Sequence, residues 1–440
     1  MIDIAERPAL QQPEYPNPAR LERVVHRLGQ MPGLVTPLEI RQLKAELARA
    51  AAGKAFVLQG GDCAERFAET NPARIRNRIR VMLQMSLVLV HGLGLPIIRI
   101  GRFAGQYAKP RSEALETVDG VSLPSYRGDI INGPAFTEAA RIPDPSRMLK
   151  AYYHSASTLN YVRALGSSGF ADLQTPEKWG EALLNREDDS ASYGHLVRTI
   201  KDALRFLSTI NGDLPESIRH VRFYTGHEAL LLPYEEAMTR SVDGHRYNVS
   251  AHAPWIGLRT HDPDGAHVAY AASIANPISI KIGPDTPMDA VFRMLDRVDP
   301  EHEPGRIALT TRMGAARASD ALPDIIRGVR AVGREVLWIC DPMHGNTRKT
   351  ASGHKTRSFE DILLDVQQTM AVHRELGSHL GGLHFELTGD AVTECTGGYD
   401  GPTDNDLHQA YRSLVDPRLN GAQALEMAFR VVEAQQSLPR

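Results

Sequence analysis

Cys63, His344, Glu386 and Asp416, far apart in the chain, together offer a thiol, an imidazole and two carboxylates. Sulfur and nitrogen beside carboxylate oxygen form a mixed donor set for a divalent ion, here without CxxC spacing. Each residue also has a plainer reading: Cys63 as an inert buried thiol, His344 as a loop hydrogen bonder, Asp416-Pro417 as a common turn. A second group is cationic. Arg102, Arg259, Lys281 and Arg312 follow or end short apolar runs; singly each reads as a structural ion pair, and together they make an anion site for phosphate or carboxylate. Lys281 sits inside the apolar run Ile278–Ile282, so it serves either as a charged partner of that anion or as a Schiff-base nucleophile. Asp62, Glu65 and Asp341 order arginines or carry protons in one reading, and are caps and ion pairs in the other. The turn Tyr126–Gly133 presents amides and an arginine to a second polar ligand, or is the internal turn of a long loop.

The elements that must position these residues repeat a beat of short apolar strand, polar loop and amphipathic helix. Strands are expected at Ala55–Gln59, Pro96–Ile100, Val221–Tyr224, Pro254–Gly257, Ile278–Ile282, Ile307–Thr311, Val336–Cys340 and Leu383–Leu387. Eight nearly apolar strands alternating with helices such as Pro287–Arg297 and Phe359–Leu376 describe a covered parallel sheet. The fold class is therefore α/β, as a (β/α)8 TIM barrel with an N-terminal extension and inserted helices, a doubly wound sheet being the alternative. In a barrel the residues just past each strand do the chemistry, and the candidates fall there. Residues 1–52 read as an N-terminal arm and helices, a lid or an oligomer contact: prolines in 1–18, a helix at Arg20–Leu28, and the capping box Thr36–Glu39 opening another to about Ala50. Residues 53–440 form the barrel, carrying an inserted loop and helices over about 107–215, with helices expected near Pro143–Leu165 and Tyr193–Thr209.

The chain has 440 residues, 42% hydrophobic and 23% charged, with a net charge of −3. Those values describe a soluble globular protein with no general attraction for nucleic acid. The alternating Arg74, Arg76, Arg78 and Arg80 spread around a helix and read as a solvated or interface face. Three cysteines give no disulfide framework, which fits a reducing compartment. The start, Met1 to Arg7, lacks a signal-peptide pattern, and the apolar run around Ser86–Val90 is too short to span a membrane. The expected location is cytoplasmic. No phosphate-binding glycine fingerprint lies between a strand and a helix, which argues against a nucleotide cofactor.

Six segments carry a resemblance: Leu58–Glu65, Gly101–Ser112, Tyr126–Gly133, Asp341–Thr347, Gly353–Arg357 and Asp416–Asn420. In this order they are similar, over essentially the whole chain, to the class II (type II) 3-deoxy-D-arabino-heptulosonate 7-phosphate (DAHP) synthases, the entry enzymes of the shikimate pathway and so of aromatic amino acid biosynthesis. The resemblance implies a (β/α)8 barrel, a divalent metal such as manganese or cobalt, and condensation of phosphoenolpyruvate with erythrose 4-phosphate. It implies metal ligands at Cys63, His344, Glu386 and Asp416, phosphoenolpyruvate contacts at Arg102, Arg259, Lys281 and Arg312, and aldose-phosphate contacts at Lys109, Arg111 and Ser112. Catalytic roles then fall on Lys281, Arg102 and His344, with Lys281 reading better as an anion partner and acid than as a Schiff base. A homo-oligomer is also implied.

Two positions depart from the family pattern. Leu258 stands where the family usually has an acidic residue, and Val415 where some members have a cysteine able to pair with the metal-ligand cysteine, so that redox lock is expected to be absent. Leu258 keeps two alternatives open: a 4-amino-4-deoxy-DAHP synthase of an antibiotic pathway, and a non-catalytic regulatory homologue.

Overall fold

The computed structural model describes residues 6–167 and 221–437. The expected helix Tyr193–Thr209 and the latter part of the insertion lie outside the described residues. Eight strands form one curled parallel sheet: β1 (Phe56–Gly61), β2 (Ile97–Arg102), β3 (Tyr224–Thr225), β4 (Trp255–Ile256), β5 (Ile278–Ile282), β6 (Ile307–Thr311), β7 (Leu337–Cys340) and β8 (Leu380–Glu386). Their spatial order is β3-β2-β1-β8-β7-β6-β5-β4, so strands consecutive in sequence pair in space, except β3 and β4, which form the two ends, and β1 pairs with β8. Just beyond β3, Glu228 makes a parallel bridge to Trp255, while Trp255 donates its N–H to the His227 carbonyl at 3.0 Å. Apart from Arg99, every strand residue is buried, as strands covered on both faces require.

Helix α1 (Pro18–Gly29) starts at Asn17, whose side chain accepts from Arg20 N–H, and buries Val24 and Leu28. Helix α2 (Pro37–Ala51) opens with the expected reciprocal Thr36–Glu39 capping box. It buries Ile40, Leu43, Leu47 and Ala50, one helical stripe. Leu43, Leu47 and Ala50 enter a cluster with Val57, Ile98, Ala308 and Leu337 from the early residues of β1, β2, β6 and β7. The α2 helix thus stoppers the sheet at the end opposite the candidate residues, and this part of the extension is not a lid. The preceding arm does reach that other end: Gln12 donates to the Leu230 carbonyl at 2.7 Å, and Ala266 N–H to the Pro8 carbonyl at 3.0 Å.

Helix α3 (Pro72–Leu93) corrects the reading of the arginine run. Arg78 is buried, with ion pairs to Asp62 at 2.5 Å and to Glu65 and Glu69 at 3.6 Å, and Arg74 pairs with Glu69 at 2.5 Å. Arg80 alone of the four is exposed. The insertion begins with an exposed hairpin, Leu115–Val118 against Val121–Pro124, and continues with helices Glu138–Arg141 and Ser146–Ser167. Among the described residues, no helix is long and apolar enough to cross a membrane.

Candidate active site

The last residues of the strands and the first residues beyond them converge. Arg102 ends β2 and Glu386 ends β8, whose pairing with β1 sets Glu386 beside Gly61, two residues before Cys63. Lys281 lies within β5 beside Thr310 of β6, and Arg312 directly follows β6. His344 sits on the loop after β7, where Asp341 accepts from its backbone N–H at 3.2 Å. Asp416, remote in sequence, is brought in because Leu419 pairs with Leu387 and donates to the Glu386 carbonyl at 3.0 Å.

Cys63, Glu386 and Asp416 each place a donor atom within 4.8 Å of the others, and His344 Nε2 stands 3.0 Å from Glu386 Oε1. Burial works against ionisation of Glu386, yet His344, Lys109, Arg357 and Arg102 hold its carboxyl well below the usual range. Asp416 is partly buried; that burial works against its ionisation, yet Lys109 leads the cations that hold its carboxyl low. Burial, with Glu386 beside it, pushes the Cys63 thiol up to about 12. These donors already attract one cation: Lys109 Nζ lies 2.7 Å from Asp416 and 3.0 Å from Cys63 Sγ. Thiol, imidazole and two carboxylates gathered at one charged point fit a first-row divalent ion. Asp341, His344 and His384 form a second compact group. Its atoms are already satisfied by protein partners: Asp341 takes His344 Nδ1 at 2.8 Å and Lys281 Nζ at 2.7 Å, and His384 Nε2 faces Arg102 and Lys281.

The cationic collar adjoins these donors. Arg102 is almost fully buried and donates to the Asp62 and Cys63 carbonyls at 3.0 and 3.1 Å and to Glu386 at 2.9 Å, with its guanidinium 5.1 Å from the Trp255 ring centre. Lys281 donates to Asp341 at 2.7 Å. Burial lowers the Lys281 pKa, and Asp341 opposes that shift. Arg312 donates to the His344 carbonyl at 2.8 Å. Exposed Arg259 donates to Ser112 Oγ at 2.6 Å, linking the two expected phosphate regions. Arg111 stands further out, paired with Glu116 at 2.8 Å and held through its backbone by Gln11. Lys109, expected with Arg111 and Ser112, instead reaches the Cys63–Asp416 group.

Asp62 and Glu65 prove to be structural. Asp62 pairs with Arg78 and with Arg418 at 2.6 Å, and Glu65 accepts from the N–H groups of Ala104, Gly105 and Gln106. The turn Tyr126–Gly133 is also internal: Arg127 donates to the Gln11 carbonyl at 2.5 Å, Asp129 accepts from Phe67 N–H at 2.7 Å, and the Arg127 carbonyl accepts from Lys109 N–H at 2.9 Å. At Gly128, φ is +104° and a Cβ would overlap the Tyr107 carbonyl oxygen. Gly128→Ala is expected to cost about 3 kcal/mol, through backbone strain and displacement of the Lys109 loop. Gly120→Ala, at φ +78° with nothing within 4 Å, costs about 1 kcal/mol. Denaturant melts of the two variants side by side check this; equal losses would refute the steric part.

Three residues were given no role in the sequence reading. Arg357 is fully buried and donates to Glu386 at 2.7 Å and to Thr347 Oγ1 at 3.0 Å. His384 shares the Glu386 face of β8, and burial with Lys281 nearby holds its pKa well below the usual imidazole value. Glu228 lies three residues past β3. A polar side chain two residues before Glu386 in an apolar strand was the available signal for His384, because alternate residues share a face.

Comparison with known proteins follows the same lines. The sequence model of the class-II DAHP synthetase family matches residues 2–432. A "Phospho-2-dehydro-3-deoxyheptonate aldolase" of Streptomyces coelicolor is 49% identical over 428 residues, covering 97% of this chain and 95% of its own. Similar matches are a protein of the same name from Neurospora crassa, 47% identical over 97% of this chain and 92% of its own, and "Phospho-2-dehydro-3-deoxyheptonate aldolase AroG" of Mycolicibacterium smegmatis, 46% identical over 97% and 92%.

Proposed function

Because this chain belongs to the class-II DAHP synthetase family, we propose that it condenses phosphoenolpyruvate with erythrose 4-phosphate and water, giving DAHP and phosphate, the first step of the shikimate pathway. The observation that carries this reading is the junction of the two groups: Glu386 touches both His344 and Arg102, so the metal donors and the cationic collar share one wall. Cys63, His344, Glu386 and Asp416 would hold the ion, manganese or cobalt. A divalent ion bound there supplies Lewis acidity toward the aldehyde oxygen of the aldose.

The remaining steps belong to this chain's own residues. Arg102, Lys281, Arg312 and Arg259 neutralise the phosphate and carboxylate of phosphoenolpyruvate, and Arg259 with Ser112 and Arg111 receives the second phosphate. Two polyanions that repel in water are thus held in reacting distance. C3 of the enol phosphate attacks the aldehyde carbon, water adds at C2, and the C2–O bond to phosphate breaks. Asp341 fixes His344 and Lys281 together, as orienting carboxylates do for metal-site imidazoles. The bridge between Glu228 and Trp255 supports closure of the sheet into a (β/α)8 barrel over residues 53–440, with 1–52 as the extension and about 107–215 as the insertion. A homo-oligomer in the cytoplasm is part of the same proposal. Val415 packs beside buried Cys63, which supports an enzyme without a thiol lock at its metal.

Chelator-treated protein given both substrates is expected to release phosphate and form a seven-carbon product by mass only when manganese or cobalt is restored. Full turnover after chelation would overturn the metal assignment, and no product with both substrates and metal would overturn the acceptor assignment. In the latter case the 4-imino or 4-amino acceptor is the next substrate to supply, Leu258 being the residue that motivates it.

A further inference from the structure

Arg111, assigned above to the second substrate phosphate, lies in an irregular segment outside every described strand and helix. Its N–H and carbonyl have no ladder neighbour and must find partners elsewhere. One side chain supplies both. Gln11, in the arm that precedes α1, accepts from the Arg111 N–H through Oε1 at 3.0 Å and donates to the Arg111 carbonyl through Nε2 at 3.2 Å. The amide brackets Arg111 as a neighbouring strand would, from 100 residues away in the chain.

Gln11 is itself firmly held. Its φ is +60°, a left-handed conformation that strains a glutamine and persists only where the surroundings impose it. Arg127 donates to the Gln11 carbonyl at 2.5 Å and to its Oε1 at 3.2 Å. The adjoining Gln12 donates to the Leu230 carbonyl at 2.7 Å and accepts from Leu232 N–H at 3.2 Å. Three residues before Gln11, the Pro8 carbonyl accepts from Ala266 N–H at 3.0 Å, at the start of the helix Ala266–Ser273. That helix follows the loop of Arg259, whose guanidinium donates to Ser112. The arm is therefore bonded on both sides of the second phosphate group, to Arg111 directly and to the chain just past Arg259.

The other end of Arg111 is arranged for exchange. Its guanidinium pairs with Glu116 at 2.8 Å, and Glu116 also holds Arg141 at 2.6 Å. When Arg111 turns to a phosphate, that carboxylate keeps a partner, so the exchange strands no charge. Only the side chain moves, and its reach is set by where its backbone is fixed.

We propose that Gln11 is a positioning residue for the acceptor phosphate, a role that rests on the function proposed above. It touches no reacting atom. Its bracket fixes the point from which Arg111 reaches, so that one phosphate meets Arg111, Ser112 and Arg259 together. Among the described residues the arm makes no hydrogen bond to Arg102, Lys281 or Arg312, which are held by Glu386, Asp341 and the His344 carbonyl. Its influence falls on the acceptor side of the site.

The test compares manganese-loaded wild type, Gln11→Gly and Gln11→Asn, with product formation followed as each substrate is varied against saturating partner. Glycine adopts φ +60° without strain, so Gln11→Gly removes the bracket and leaves the arm's backbone relaxed. Asparagine also tolerates the left-handed region and keeps the amide, but it is one methylene too short to span Arg111. Both variants are expected to raise KM for erythrose 4-phosphate about tenfold. Their kcat and their KM for phosphoenolpyruvate are expected to stay within about twofold of wild type, because the lost interaction serves ground state and transition state alike. An unchanged KM for erythrose 4-phosphate overturns the role. A matching rise in both KM values overturns it in favour of a general fold contact, and full rescue by asparagine overturns the bracket. A wild type that forms no product overturns the function itself, and with it this role.

Discussion

Cys63→Ala is expected to fold, to lose its bound metal on dialysis, and to show no measurable manganese-dependent turnover, a fall beyond about 10³-fold. The fold should survive because the side chain is fully buried in a small cluster with Tyr126 and Val415, and deleting one sulfur there costs about 1 kcal/mol. The metal should not. Changes in groups that merely orient ligands already cost 10–100-fold in affinity or activity, so removing a ligand atom costs at least about 10²-fold in affinity. Alanine also removes Cys63 Sγ from Lys109, leaving it Asp416 at 2.7 Å and Glu386 at 3.8 Å. Elemental analysis of metal per chain, beside turnover at rising manganese, separates the two effects. A Cys63→Ala protein that keeps full activity after chelation would remove Cys63 from the site and leave it an inert buried thiol.

Much of this site was legible because residue type and position agreed. Strands Ile278–Ile282 and Ile307–Thr311 were expected to the residue, since unbroken apolar β runs bounded by polar turns leave little freedom in placing their ends. Strand β8 was expected to start at Leu383 and starts at Leu380. The added residues include Gly381 and Gly382, which mark close approach: a Cβ at Gly382 would crowd Val57, and one at Gly381 the Ala50 carbonyl. Strand β3 was expected at Val221–Tyr224 and lies at Tyr224–Thr225; Val221, Arg222 and Phe223 remain partly or fully exposed. The arginine run misled for a different reason. Local spacing describes the circumference of a helix, but Arg78 is drawn inside by Asp62, Glu65 and Glu69, which precede the helix and fold back over it. Lys109 followed the same pattern, because its partner Asp416 is more than three hundred residues away. Long-range charge pairing leaves no periodic trace in a single sequence.

Lys281→Met is expected to reduce kcat by about 10³-fold, about 4 kcal/mol of transition-state stabilisation, with the metal retained. The ammonium is buried within β5, 2.7 Å from Asp341, 3.4 Å from both His344 Nδ1 and His384 Nε2, and 5.8 Å from the Trp255 ring centre. A cation fixed there meets the developing negative charge on the substrate without reorganising. Its removal also breaks a buried pair, and leaving Asp341 without Lys281 costs about 3–5 kcal/mol of stability. The double variant Lys281→Met/Asp341→Asn removes both charges at once. It is expected to recover much of that stability and none of the turnover, which assigns the loss to chemistry rather than to folding. The same lysine decides between the electrostatic role and a Schiff base. Borohydride added to wild type during turnover is expected to leave the mass of the chain unchanged; a stable substrate adduct on Lys281 would make this a lysine-dependent aldolase and reassign the collar around a covalent intermediate.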